Sequence, residues 1–144
     1  MKNILVTIDF TSGDQELIDK AFLFAEKFHS KIWLIHIAAP DPDFVGYEVG
    51  PQYIRDDRAT ELRKEHKILQ DHANSLGVKG FEAEGLLVQG ATIEMILEES
   101  KKLQIDLIIS GHHDHGFFYN AFTGSVSGNL IKKSKIPVLI VPLG

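Results

Sequence analysis

The sequence predicts an α/β fold: a doubly wound, five-stranded parallel sheet with helices on both faces, formed as one domain over residues 1–144. Three observations predict it. Apolar, β-branched runs alternate along the chain with segments whose apolar residues recur at helical spacing. Strand–helix alternation of this kind reads as a parallel sheet, and right-handed crossovers make it doubly wound. The residue types that bind ligands fall just after the runs, at the carboxyl ends of the strands, where such sheets take their ligands.

The elements follow in order. Ile4–Ile8 is the first strand. Ser12 with Gln15 fits a capping box, and Leu17, Ile18, Ala21, Phe22, Ala25 and Phe28 then give the first helix. Lys31–Ala38 is the second strand. Pro40, Pro42, Gly46, Gly50 and Pro51 make residues 39–52 a loop. From Arg58 to Leu76 a stripe of Leu62, His66, Leu69, Ala73 and Leu76 predicts a long helix, with Gly77 as its stop. Phe81–Val88 is the third strand, ended by Gly90. Ile93, Ile96, Leu97, Ser100 and Leu103 mark the third helix, and Asp106–Ser110 the fourth strand. Val126, Leu130 and Ile131 mark a fourth helix, and Ile136–Val141 the last strand.

Composition narrows the function classes. A chain of 144 residues can bury a sizeable core. The net charge of -5 and the lack of a Lys/Arg cluster speak against nucleic acid as a partner. There are no cysteines, so disulfides and thiolate metal sites are excluded. Met1–Asp9 lacks a signal-peptide pattern, and no apolar run approaches the roughly 20 residues of a membrane helix. The expected location is the cytoplasm, with no membrane partner.

One stretch carries chemistry. Gly111-His112-His113-Asp114 follows the apolar run of the fourth strand, and nine residues later comes Gly124-Ser125-Val126-Ser127. A strand running into a glycine turn, with a glycine–serine pair opening a helix, exposes backbone N–H groups to phosphate. Glycine permits close backbone approach, and serine can cap the helix or donate to a phosphate oxygen. Each residue also has a plainer reading. Asp9 can cap the turn before Ser12, Gly111 and Gly124 can serve as turn and helix-start residues, and Ser125 and Ser127 as caps. His36 reads as a structural residue at a strand end. His112, His113, Asp114 and His115 are metal-ligand types, but adjacent residues rarely converge on one ion, so a solvated loop is expected. Phe117, Phe118, Tyr119 and Phe122 read as a lid or a dimer contact. The charged run from Arg55 to Lys67 reads as a solvated helix face.

The spacing is close to the G-x2-G-x9-G-[ST] signature of the universal stress protein family, which the chain resembles over nearly its whole length. Ile4-Leu5-Val6-Thr7-Ile8-Asp9 resembles the family's opening strand with its terminal acid, and Leu34-Ile35-His36-Ile37 its second strand. Gly90-Ala91-Thr92-Ile93 resembles the turn into its third helix, and Leu107–Gly111, Gly124–Ser127 and Ile136–Pro142 resemble its last third. The resemblance implies an adenine nucleotide alpha hydrolase-like fold and a module that binds ATP or another adenine nucleotide, with or without Mg²⁺, in stress response or signalling. Thr7, Ile8 and Asp9 would line the adenosine end, and Ile37 would offer backbone to adenine. Gly111, His112, Asp114, Gly124, Ser125, Val126 and Ser127 would hold ribose and phosphates. No catalytic set stands out, so at most slow ATP hydrolysis is expected. The family's usual dimer would pair Val138 to Val141 of two copies. Asp114 stands where the family's second glycine belongs. It either points to solvent, leaving the amides free, or faces the phosphates and repels them. The alternative is a nucleotide-free stress protein that works through dimerisation and partner binding.

Receiver and flavodoxin readings fail on missing residues. The last strand ends in Val141-Pro142 rather than a lysine, and Asp9-Phe10-Thr11-Ser12-Gly13 is a poor flavin-phosphate loop. A Walker A lysine motif and a nucleophile elbow are also absent.

Overall fold

A computed structural model describes residues 1–39, 52–113 and 126–143, with the side chains of the second helix from Asp56 onward. The elements are β1 (Asn3–Thr7), α1 (Asp14–Phe28), β2 (Lys31–Ala38), α2 (Gln52–Val78), β3 (Ala83–Gln89), α3 (Thr92–Lys102), β4 (Leu107–His112), α4 (Val126–Lys133) and β5 (Val138–Pro142). They form one five-stranded sheet in the order β3-β2-β1-β4-β5, with every neighbouring pair parallel. The chain runs outward from β1 to β3, and α3 then carries it back across to β4. The strand order therefore reverses between β1 and β4.

The apolar runs are continuous because the central strands are buried on both faces. Ile4 and Val6 of β1, Ile32 and Leu34 of β2, and Leu107 and Ile109 of β4 pack under α1 and α2 with Leu17, Ile18, Ala21, Leu69 and Ala73. Leu5, Ile35 and Ile108 point the other way, toward Ile93 and Ile96 of α3 and Leu130 of α4. Each fully buried Leu or Ile contributes about 1.5–3 kcal/mol. Helices thus cover both faces of the sheet, as the alternating pattern predicts. Among the described residues, no helix is long and apolar enough to cross a membrane.

Several boundaries differ from the expectations. The Ser12–Gln15 capping box does not form. Gly13 is the N-cap of α1 and makes no side-chain cap bond, while Gln15 Nε2 donates to Asp19 one turn on. The first turn carries Asp14 and Glu16 instead, which suits the positive end of the helix. Helix α2 begins six residues before Arg58 and runs two past Leu76, so Gly77 lies inside it. The stop is Gly80, at φ 92. Phe81 N donates to Leu76 O and Gly80 N to Gly77 O, which is a Schellman closure. His66 leaves the predicted stripe and is exposed, whereas Leu69, Ala73 and Leu76 are buried. Strand β4 continues through Gly111 and His112, which pair with Val141 and Pro142, so Gly111 sits in the ladder and not in a turn. Residues 40–51 of the predicted loop lie outside the described residues, as do Phe117, Phe118, Tyr119 and Phe122.

Candidate functional site

Strands β1, β2 and β4 are parallel and share their carboxyl end, and the strand order reverses between β1 and β4, the place where sheets of this kind carry their ligand crevice. Thr7 closes β1, and its Oγ1 donates to Ser110 Oγ of β4 at 3.0 Å, tying the two strands at the crevice floor. Ile8 is buried. Its N–H bonds to Ile35 O at 2.8 Å, and its carbonyl receives His36 Nδ1 at 2.6 Å. The carbonyl only accepts, so that contact puts a proton on Nδ1, and the ring's Nε2 faces Glu65 Oε2 of α2, 4.0 Å away. His36 is indeed fastened structurally at the strand end.

Asp9 is exposed and organises the β1–α1 turn. Its Oδ1 accepts Thr11 N–H at 3.2 Å and Thr11 Oγ1 at 2.6 Å, and its own N–H donates to Asp14 Oδ1 at 3.2 Å. Between them Phe10 takes the left-handed φ of 63 and sets its ring 4.3 Å from the His36 ring. A left-handed non-glycine residue costs about 1–3 kcal/mol and persists only where its surroundings hold it. From β4, His113 Nε2 approaches Asp9 Oδ2 to 3.9 Å. Burial pushes the Asp9 carboxyl up, but bonds from Thr11 and Asp14 and the His113 charge outweigh it and hold Asp9 below the usual range. Asp14 goes the other way. Burial, then the hydrogen bond and charge of Asp9, raise it to about 7.

On the far side of the crevice, His112 Nδ1 meets Ser127 Oγ at 3.0 Å, joining the end of β4 to the first turn of α4. Ser127 is buried and Val126 is exposed. Ile37 is half-buried near the end of β2, against the α3 face. Leu143 lies over the crevice: its N–H donates to His112 O at 2.8 Å, and its side chain fills the space a Cβ on Gly111 or Gly13 would need. Gly111 therefore has a packing reason of its own for lacking a side chain.

The structure thus brings Thr7, Ile8, Asp9, Gly111, His112 and Ser127 to one crevice, with Ile37 on the neighbouring strand end. Asp114, Gly124 and Ser125 lie outside the described residues. Of the histidine cluster, His112 turns to α4 and His113 to β1, and among the described residues no three His, Asp or Glu side chains are arranged to hold a metal ion. Sequence reasoning missed Asp14, Glu65 and Leu143. Two acids bracketing the four residues Phe10 to Gly13 were the one available signal for Asp14. Glu65 sits in a charged run that is otherwise mostly exposed, and Leu143 carries no local pattern at all.

Asp9 offers an exposed carboxylate that can accept from hydroxyl or amino donors.

Comparison with known proteins gives this arrangement a family. The model of the universal stress protein family matches residues 1–142. Universal stress protein C of Escherichia coli (strain K12) is 33% identical over 146 residues, spanning 98% of this chain and 95% of that protein. Among solved structures, a universal stress protein in complex with cAMP superposes with a TM-score of 0.72 at 20% identity, covering 99% of this chain and 98% of that one. A family member from Arabidopsis thaliana with AMP bound superposes with a TM-score of 0.69 at 17% identity, covering 100% and 93%. The sheet order, the whole-length match and the sequence relatives agree: the chain belongs to the universal stress protein family.

Proposed function

We propose that this protein is a cytoplasmic adenine-nucleotide-binding module of the stress response, holding ATP or a related nucleotide, with or without Mg²⁺, and signalling through its bound state. Hydrolysis is at most slow. The observation that carries the reading is the meeting of Asp9, Gly111 and the His112–Ser127 pair at the switch point of a parallel sheet. The AMP and cAMP complexes of structural neighbours support the ligand class. In this reading Thr7, Ile8 and Asp9 frame the adenosine end and Ile37 offers backbone to adenine. Gly111, His112 and Asp114, with Gly124 through Ser127, surround ribose and phosphates. The functional unit is a single domain that pairs as a homodimer through Val138 to Val141.

One observation favours the alternative, a nucleotide-free stress protein acting through dimerisation and partner contacts. Leu143 occupies the space that Gly111 leaves open. Mass spectrometry of small molecules released from the purified protein separates the two. Recovery of an adenine nucleotide supports the binding module. Its absence, with no uptake on incubation in millimolar ATP, supports the nucleotide-free reading.

A further inference from the structure

Asp14 is a buried acid at the mouth of the crevice, only 4% exposed, and no part of the site described so far uses it. It opens α1, and its Oδ1 accepts the N–H of Asp9 at 3.2 Å. Asp9 in turn holds Thr11 through both its N–H and its hydroxyl. The loop from Asp9 to Asp14 is thus held by both carboxylates, Asp9 accepting from Thr11 and Asp14 from the Asp9 N–H. Titratable groups face this turn from three more elements. His113, just past β4, lies 3.9 Å from Asp9 Oδ2; His36 of β2 bonds Ile8 O and meets the Phe10 ring at a tilt; Glu65 of α2 lies 4.0 Å from His36 Nε2.

We infer that Asp14 is a positioning residue for the adenosine end of the site: by accepting the Asp9 N–H at the start of α1, it fixes Asp9 as the acceptor for the donor groups of a bound nucleoside. The inference rests on the nucleotide reading above. Its chemistry follows from the donor inventory. An ionised carboxylate only accepts, whereas a protonated one also donates. With one proton between the pair, the proton sits on Asp14 and leaves Asp9 as the single outward-facing anion. The environments of the two acids keep the proton on Asp14, because Asp14 is buried and pushed up to about 7 while Asp9 is held low by Thr11, Asp14 and His113 against the opposing effect of its own burial. When Asp14 ionises, a second negative charge appears beside a ligand that is itself an anion. Nucleotide binding therefore takes up a proton, and affinity falls as the pH rises through neutrality.

The test is calorimetry with ATP at pH 6 and pH 8.5 on the wild type, Asp14→Asn and Asp14→Ala. Asn keeps a donor and an acceptor without the charge. Comparing proteins at each pH cancels the titration of ATP itself. The wild type should lose about three- to tenfold in affinity relative to Asp14→Asn between the two pH values, a tenfold loss matching one pH unit's displacement of the Asp14 titration on binding. Asp14→Ala should bind weakly at both, with Asn as the rescue. The carboxyl-carbon NMR titration of the ligand-free wild type supplies a readout that needs neither variant nor nucleotide, and Asp14 should titrate near neutrality. An unchanging ratio between two proteins that both bind ATP overturns the role of Asp14. So does titration of Asp14 in the ordinary carboxylate range. Failure of every protein to bind ATP at either pH overturns the nucleotide reading, and the role of Asp14 with it.

Discussion

Asp14 binds its proton more tightly in the folded chain than in the unfolded one, which gives stability a definite dependence on pH. Its folded value is about 7 against an ordinary 3.8. Between those values the native state holds a proton that the unfolded state has lost, so stability falls as the pH rises from about 4 to about 7 and then levels. Asp9 and Asp106 act in the opposite sense below that window. Both are held below the usual range, Asp106 by the N–H groups of Asn3 and Lys2, and their contributions are lost as the pH falls through their folded values. Urea midpoints measured from pH 4 to pH 8 should decline across this range, and Asp14→Asn should flatten the decline. An unchanged slope in that variant contradicts the assignment. Asp114 supplies the second prediction at this scale. Two like charges roughly 6 Å apart at an effective dielectric of about 20–40 cost about 1.4–2.8 kcal/mol. If Asp114 faces the phosphates, Asp114→Gly tightens ATP binding by about ten- to a hundredfold and AMP binding much less. Equal ATP affinities would mean that its carboxylate faces solvent or is neutralised by a cation.

Elements show where local sequence was informative and where tertiary contact decided. Strand β2 was legible to the residue, because Lys31–Ala38 is a β-rich run between turn residues. The start of α1 was not. Ser12 and Gln15 have the right chemistry for a capping box, but the helix begins two residues after Ser12, where Asp14 is drawn to the Asp9 N–H. Gly77 and Gly80 both qualify as helix stops by composition, and the hydrogen bonds of Phe81 and Gly80 select the second. Asp9 and Gly111 were locatable in the sequence because they lie at strand ends, and Ser127 because it opens α4. The crevice was illegible at Glu65 and Leu143, whose partners are remote in sequence. Gly85 tests the packing of α2 on β3. A Cβ placed there would lie 2.8 Å from Leu69 Cβ and 3.1 Å from the Leu69 carbonyl carbon, and Leu69 is fully buried. Gly85→Ala should cost about 1–3 kcal/mol, seen calorimetrically as a Tm lower by about 2–12 °C. An unchanged Tm would mean that α2 can shift away from the sheet without loss.

For the molecule as a whole, β5 is the exposed consequence of the strand order. Among the described residues it pairs only with β4, and Val138, Leu139 and Ile140 are each half-buried at that edge. Such an edge leaves N–H and C=O groups free to pair with another chain. Pro137 and Pro142 cannot donate to a ladder, which confines pairing to the segment between them. A second copy related by a two-fold axis would bury this edge, so Val138→Lys with Ile140→Lys should shift the protein toward monomer. Light scattering that finds a wild-type monomer at about 100 μM, well above a micromolar Kd, would refute the dimer. The central claim concerns the other end of the sheet, where the crevice between β1 and β4 is read as a nucleotide site. The most direct measurement is titration calorimetry of the wild-type protein with ATP and Mg²⁺. Saturable heat with a micromolar or weaker Kd, lost in Gly124→Val while the circular dichroism spectrum is unchanged, is the predicted result. No heat up to millimolar ATP, or binding that survives Gly124→Val, would contradict it.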